Sequence, residues 1–236
     1  MARYDVSPAE FRTPNGNPVS VYVREGTNDW NTAQSALNED EYGLAQMHLL
    51  GLALDIGAHI GTVSLALAVD TPELLVIALE PIPENADLLR RNVEANGVTD
   101  RVAIIEGMAG AWGWGQVSYG FRNSETALHH AFIGNSALGQ QGEHRTADVP
   151  SYDLNRLLSG VPWYFRFAKI DCEGGEYDFL AASRDDLARV QEFRGEWHPL
   201  YGTRTRDDLR ALLTETHEVT FTGPIEGPGG FRALRR

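Results

Sequence analysis

The stretch "LALDIGAHIGTVSLALA", Leu52 to Ala68, constrains the fold more than any other part of the chain. An apolar run of strand length ends in Asp55, turns through Gly57 and Gly61, and restarts with helical periodicity over 61–69. Such a strand is apolar on both faces, so both faces must be covered. The alternation repeats downstream. Strands are expected at Leu52–Asp55, Leu74–Leu79, Val102–Glu106, Phe165–Asp171, Gln191–Trp197, Glu218–Thr222 and Phe231–Leu234. Helical patterns fall between them at 61–69, 83–96, 151–159, 174–189 and 205–215. Pro83 opens one of these helices and Gly97 closes it, each at the end that suits its backbone. The expectation is an α/β protein with a mostly parallel sheet and helices on both faces.

A length of 236 residues suits one such domain. Residues 1–50 read as an N-terminal extension and 51–236 as the core. In the extension, "NPVSVYVREG" alternates as a strand after the turn "TPNGNP". "NDWNTAQSALNEDEYGLAQMHLL" reads as one helix capped by Asn28 or Asp29, and its place before the first core strand makes it a candidate lid. An insertion at about 107–149 interrupts the rhythm with Trp112, Trp114, Tyr119, Phe121, His129, His130, Phe132 and His144. A substrate wall and a small sub-core are both open readings of it.

Composition excludes some partners. A net charge of −13 repels a phosphate backbone, so nucleic acid is not expected as substrate. No run of about 18 apolar residues offers a membrane span. The single cysteine, Cys172, cannot close an internal disulfide, and the N-terminus lacks the apolar centre of a leader peptide. The expected location is cytoplasmic, and a homo-oligomer is left open.

Asp55 sits where a phosphate-binding loop avoids negative charge. The dinucleotide fingerprint also fails, because counting from Gly57 its third position is His59 and its sixth Thr62. A carboxylate at this strand tip suits a nucleoside ligand with positive charge. S-adenosylmethionine (SAM) is one, carrying an ammonium and a sulfonium. Asp55, Gly57, Ala58, His59 and Gly61 are the candidates to hold its methionine portion. At the next strand tip, Glu80 with Pro81 is placed to accept the ribose hydroxyls. Glu80 also reads as an acid stabilising a helix N-terminus. Glu106, Gly107 and Met108, at the third tip, are candidates to flank the adenine.

The fourth strand adds "FAKIDCEGGEYDFL" after "SYDLNRLL" and before "VQEFRGEWHPL". Lys169, Ile170, Asp171, Glu173, Gly174 and Glu176 form a K-I-D-x-E-G-x-E pattern. This resembles the FkbM-type SAM-dependent methyltransferases, as do "TNDWNTAQSALNEDEYGL" and "EPIPENADLLRRNVEANG". The resemblance spans roughly residues 20–200. It implies a Rossmann-like class I methyltransferase fold with seven strands, SAM as methyl donor, and O-methylation of a hydroxyl on a small metabolite, sugar or natural product.

SAM is already activated, so the enzyme needs no nucleophile, but a hydroxyl acceptor must lose its proton. Asp171, Glu196 and His198 are the candidates. Glu196 and His198, two apart at a strand end, face the same side. His198 as general base oriented by Glu196 is one mechanism. A divalent cation such as Mg²⁺ on Asp171 and Glu196 is the other, less favoured because two carboxylates are few ligands. Cys172 lies between Asp171 and Glu173, which disfavours thiolate, and reads as a small core residue. A SAM-binding protein without catalysis and a NAD-dependent oxidoreductase stay open as alternatives.

Overall fold

The computed structural model describes residues 5–45, 47–121, 131–133, 143–159, 164–199, 204–224 and 227–236. It begins with an antiparallel hairpin, β1 (Val6–Arg12) and β2 (Pro18–Arg24), followed by α1 (Asp29–Ala33). Then come β3 (Gly51–Ile56), α2 (Thr62–Asp70), β4 (Leu74–Glu80), α3 (Pro83–Ala95), β5 (Val102–Glu106) and the short β6 (Met108–Ala109). β7 (Gly113–Phe121), β8 (Ala131–Ile133) and β9 (Glu143–Tyr152) follow, then α4 (Leu154–Leu157), β10 (Phe165–Ile170), α5 (Glu176–Ala182) and β11 (Glu192–Trp197). α6 (Arg206–Leu213), β12 (His217–Phe221) and β13 (Gly229–Arg235) complete the chain.

The main sheet has seven strands in the order β12-β13-β11-β10-β3-β4-β5. β13 runs antiparallel to both its neighbours, and the other pairings are parallel. β3 lies in the middle, with β4 and β5 on one side and β10 and β11 on the other. The strand order therefore reverses at β3/β10, where an open α/β sheet leaves a crevice at its carboxyl ends.

Apolar residues on both faces of the strands account for the two core clusters. One gathers Phe11, Val21, Leu37, Leu65, Leu89 and Phe167. The other gathers Leu54, Phe179, Leu180, Phe193, Trp197 and Leu209. α2 is buried from Thr62 to Ala68, as a helix apolar on all sides must be. α3 is amphipathic and turns Asn92 and Asn96 toward the N-terminal hairpin. The Tyr22 N–H donates to Asn92 Oδ1 at 2.6 Å and the Ser20 N–H to Asn96 Oδ1 at 3.0 Å. The hairpin is thus fixed to the sheet's helical layer by hydrogen bonds as well as by Phe11, Val19 and Val21.

Three expected helices are shorter than their patterns. The one read over Asn28–Leu50 stops after α1 and a wider π-helical turn, Gln34–Asn38. Asp40 turns left-handed there (φ 51°), and its carboxylate accepts the N–H groups of Leu44 and Ala45. The 151–159 pattern yields only α4, because Ser151 and Tyr152 pair in β9. The 174–189 pattern breaks at Ser183 into α5 and a 3₁₀ turn, Arg184–Arg189. The 107–149 stretch forms most of a second sheet, in the order β6-β9-β7-β8. His129 and His130 lie outside the described residues.

Candidate functional site

The glycine turn after β3 is held from beneath by a buried ion pair. Lys169 on β10 stands opposite Asp55 on β3, with Nζ 3.5 Å from Asp55 Oδ1. Asp55 Oδ2 accepts the Ser64 hydroxyl at 2.7 Å. Lys169 Nζ also donates to the carbonyls of Gly57 (2.6 Å) and Ile56 (3.2 Å). Burial disfavours the ammonium, but the charges of Asp55 and Asp171 outweigh it and hold Lys169 above its ordinary pKa. The lysine thus stays charged and clamps the turn.

Above that clamp, Gly57 has φ 73°, and a Cβ on it would lie 1.8 Å from the Asp171 carbonyl oxygen. Only glycine lets the turn after β3 pass so close to the end of β10. Gly61, with φ 91°, is tight for another reason: its missing Cβ makes room for Leu89 of α3. The N–H groups of Gly57 and Ala58 both donate to the Leu79 carbonyl at 3.0 Å, tying the turn to β4.

At the tip of β4, Glu80 is buried and accepts three hydrogen bonds. They come from the His59 N–H (2.8 Å), the Ile82 N–H (2.9 Å) and Asn85 Nδ2 (3.1 Å). Burial raises its pKa, against the pull of these donors. The bonds continue into the N-terminal segment. Arg24 Nη2 donates to Asn85 Oδ1 at 2.7 Å, and Arg24 grips the buried Asp29 through Nε (2.7 Å) and Nη2 (2.8 Å). His59 Nε2 lies 3.4 Å from Asp29 Oδ1, which closes the ring of contacts. Burial opposes ionisation of Asp29, but Arg24 and His59 prevail and hold its carboxyl below the ordinary range.

Beyond the glycine turn the site is acidic. The Tyr42 hydroxyl donates to Asp171 Oδ2 at 2.8 Å. Burial and the charges of Asp171 and Glu41 keep that phenol protonated, well above its ordinary pKa. Glu41 also lines this end of the cavity. Burial of the carboxyl, its closeness to Glu196, and the charges of Glu196 and Asp171 push Glu41 up to about 7, against the pull of Lys169.

His198 lies behind Glu196. Its Nδ1 is 3.0 Å from Glu176 Oε1, and its Nε2 is 3.6 Å from both Glu173 Oε2 and Glu196 Oε2. Burial disfavours the charged ring, but the bonds to Glu176 and Glu196 and the charges of Glu176 and Glu173 push it up to about 11. This favours the imidazolium, which has no lone pair to accept a proton, and so counts against His198 as the base. The ligand atoms of Asp171, Glu196 and His198 lie within 4.8 Å of one another.

These parts surround a cavity of about 270 Å³ at the carboxyl ends of the strands. Gly57, His59, Glu80, Pro81, Gly107, Met108, Asp171 and Glu196 line it. Five expected residues do not. Asp55 is fully buried beneath the turn, Ala58 is packed inside it, and Gly61 is packed against Leu89. Glu106 points outward and pairs with Arg90, while His198 stays behind Glu196. Cys172 is half-buried, packs against the second core cluster and also lines the cavity. Burial and the charges of Glu176 and Asp171 raise its pKa well above the ordinary thiol value, so it is no nucleophile. Trp112 and Trp114 are exposed and off the cavity, with Trp112 packed against Tyr152 and Arg156.

Sequence reasoning offered the N-terminal segment as a lid but missed which of its residues reach the site: Asn28, Asn31, Thr32, Ser35, Glu41 and Tyr42 line the cavity. "NEDEYG" carried a signal in its run of acids, which also suits a solvated helix face. It missed Lys169 as the turn's clamp too, although a lysine inside the apolar run "FAKID" is costly without a buried partner.

The sheet order, the glycine turn and the carboxylate at the second strand tip define a class I SAM-dependent methyltransferase fold. The 16S rRNA N2 G1207 methyltransferase of T. thermophilus (RsmC), solved with AdoMet and guanosine, shares it with a TM-score of 0.50 at 14% identity. That match covers 100% of this chain and 52% of RsmC. Precorrin-6y C5,15-methyltransferase of Geobacter metallireducens matches with a TM-score of 0.49 at 13% identity, over 85% of this chain and 88% of that one. TrmK of M. capricolum, solved with S-adenosyl-homocysteine, matches with a TM-score of 0.47 at 9% identity, over 81% of this chain and 65% of that one. The chain thus spans less than two thirds of TrmK and about half of RsmC. No curated protein matches it in sequence. Residues 55–220 match the Methyltransferase FkbM domain, and the chain belongs to that family.

Proposed function

We propose that this protein transfers the methyl group of SAM to a hydroxyl of a small molecule such as a sugar or other metabolite. The observation that carries the reading is one cavity lined by the buried carboxylate of Glu80 together with Asp171, Glu196 and Glu41. SAM fits the donor set. Glu80 keeps oxygen lone pairs for a ribose diol. Gly57 and His59 bring backbone close, Gly107 and Met108 suit an adenine, and the surrounding carboxylates suit a sulfonium and an ammonium. Bound there, SAM supplies an activated methyl carbon on a good leaving group. Asp55 and Lys169 support this site from below by holding the turn.

The N-terminal segment, as a lid, orients the acceptor and keeps water out, which raises effective molarity. An acidic chain of net charge −13 with carboxylates at the acceptor end disfavours an RNA or DNA substrate. No helix among the described residues is long and apolar enough to cross a membrane.

Calorimetry with SAM, S-adenosylhomocysteine and NAD tests the cofactor, and labelled SAM with a panel of sugars, small hydroxylated metabolites and RNA tests the acceptor. SAM binding with label on a hydroxyl is expected. NAD binding without SAM binding overturns the reading. SAM binding with no transfer to any acceptor leaves a binding protein, and label in RNA corrects the substrate class.

A further inference from the structure

We infer that Arg24 is a positioning residue for the cofactor: through Asn85 it fixes the Glu80 carboxylate in the orientation that accepts from the ribose, and it ties that carboxylate to the N-terminal segment. Its role rests on the methyl-transfer reading above, in which Glu80 takes the ribose. Two of the three hydrogen bonds on Glu80 come from backbone N–H groups, those of His59 and Ile82, whose direction the glycine turn and the start of α3 already set. The third comes from Asn85 Nδ2, on a side-chain amide that can turn over. Turned over, that amide would set its oxygen against the carboxylate and its NH₂ against the guanidinium, and both contacts would repel. Arg24 Nη2, donating to Asn85 Oδ1 at 2.7 Å, selects the orientation in which Nδ2 meets Glu80 Oε1. Oε1 then carries two donors, and Oε2 carries only the His59 N–H. Each carboxylate oxygen has two lone pairs, so Oε2 has the greater remaining capacity to accept from a ligand. Glu80 and Asn85 both line the cavity where that ligand would lie.

The guanidinium is itself held still. Arg24 is buried, and the Asp29 carboxylate takes its Nε, its Nη2 and its backbone N–H, the last at 2.9 Å. Asp29 opens α1, and Asn28, Asn31 and Thr32 beside it line the cavity. The hairpin, α1 and the tip of β4 therefore meet at one side chain. Attachment alone does not call for a cation there. Phe11, Val19 and Val21 already pack the hairpin into the core, and a buried guanidinium is costly unless its donors are satisfied. Nη1 has no hydrogen-bond partner among the described residues. What Arg24 supplies that an apolar side chain cannot is a fixed donor for Asn85. A planar fork reaches Asp29 and Asn85 together, whereas the point charge of a lysine does not hold both in one geometry.

Calorimetry with S-adenosylhomocysteine and with its 2′,3′-dideoxy analogue reads the ribose contact by itself, because the two ligands differ only in the hydroxyls. Wild type should bind the first ~10-fold or more tightly than the second, the scale of hydrogen bonds to a charged group. Arg24→Lys keeps the charge opposite Asp29 and should bring the ratio close to one, with affinity for the analogue unchanged. Asn85→Leu should lower the ratio as well. In a Glu80→Ala background, where the preference is already lost, Arg24→Lys should lower it no further, since its effect passes through that carboxylate. Melting curves control for folding. Should Arg24→Lys not fold, Arg24→Met with Asp29→Leu takes its place, because a fold tolerates losing both buried charges better than losing one. A wild-type ratio in the folded Arg24 variant, or an equal loss for both ligands, overturns the role of Arg24 while the preference lost in Glu80→Ala leaves the ribose reading standing. A wild-type chain that binds both ligands alike, or neither, overturns the ribose reading of Glu80 instead, and the role of Arg24 with it.

Discussion

Lys169 and Asp55 face each other on adjacent parallel strands, ammonium 3.5 Å from carboxylate, both buried under the turn they support. Asp55 is therefore a structural counter-ion, and its effect on any ligand passes through the position of Gly57. Asp55→Asn or Lys169→Met should each cost ~3–5 kcal/mol, because each leaves the other charge buried without its partner. Urea unfolding measures this. A loss under 1 kcal/mol in both variants would show the pair to be dispensable.

Gly57→Ala should fare worse than a usual loop substitution. Its Cβ has no room beside the Asp171 carbonyl oxygen, and φ at this position is 73°. The expected result is loss of SAM binding by calorimetry with a lowered melting temperature. A variant that binds as wild type does would mean the turn can move aside.

Glu80→Ala should cost ~1.5–3 kcal/mol of SAM affinity, the scale of hydrogen bonds to a charged group. It should also lower stability by freeing the donors on His59, Ile82 and Asn85. Unchanged affinity with lowered stability would assign Glu80 to holding α3 and the turn alone.

His198→Gln should act on stability more than on turnover. The folded pKa of about 11 lies above the ordinary 6.5, so its stabilising effect is full below 6.5 and fades as pH rises through 11. The variant should melt lower than wild type at pH 6, with the gap closing toward pH 11. Loss of turnover without loss of stability would assign the base to His198.

Glu41 should lose its stabilising effect in the same direction, at lower pH. Its folded pKa of about 7 lies above the ordinary 4.5, so the protonated group is the one the fold favours. Its stabilising effect is full below 4.5 and lost as pH rises through 7. Relative to wild type, Glu41→Gln should gain melting temperature between those values. A gap independent of pH would indicate an ordinary exposed glutamate.

Much of this protein is written locally. The apolar runs at Leu74–Glu80 and Phe165–Ile170, the turn at Gly57 and the Pro83–Gly97 helix follow from nearest-neighbour periodicity and backbone preference, and they determine the α/β sheet and the end of it that opens. The chemistry at each strand tip could be read for the same reason, since Glu80, Asp171 and Glu196 end buried strands. Which side chains meet is a matter of distance along the chain. Asp55 reads as a ligand from its own segment and becomes a counter-ion only because Lys169, 114 positions on, is its register partner. Glu41 reads as part of one long N-terminal helix, but that helix ends before Asp40, which turns left-handed, and Glu41 lines the cavity. His198 reads as a base from its own segment, whereas Glu173, Glu176 and Glu196 gather around it and favour its charged form. A pKa is set by burial and by charges a few ångströms away, and only the tertiary structure brings those charges together.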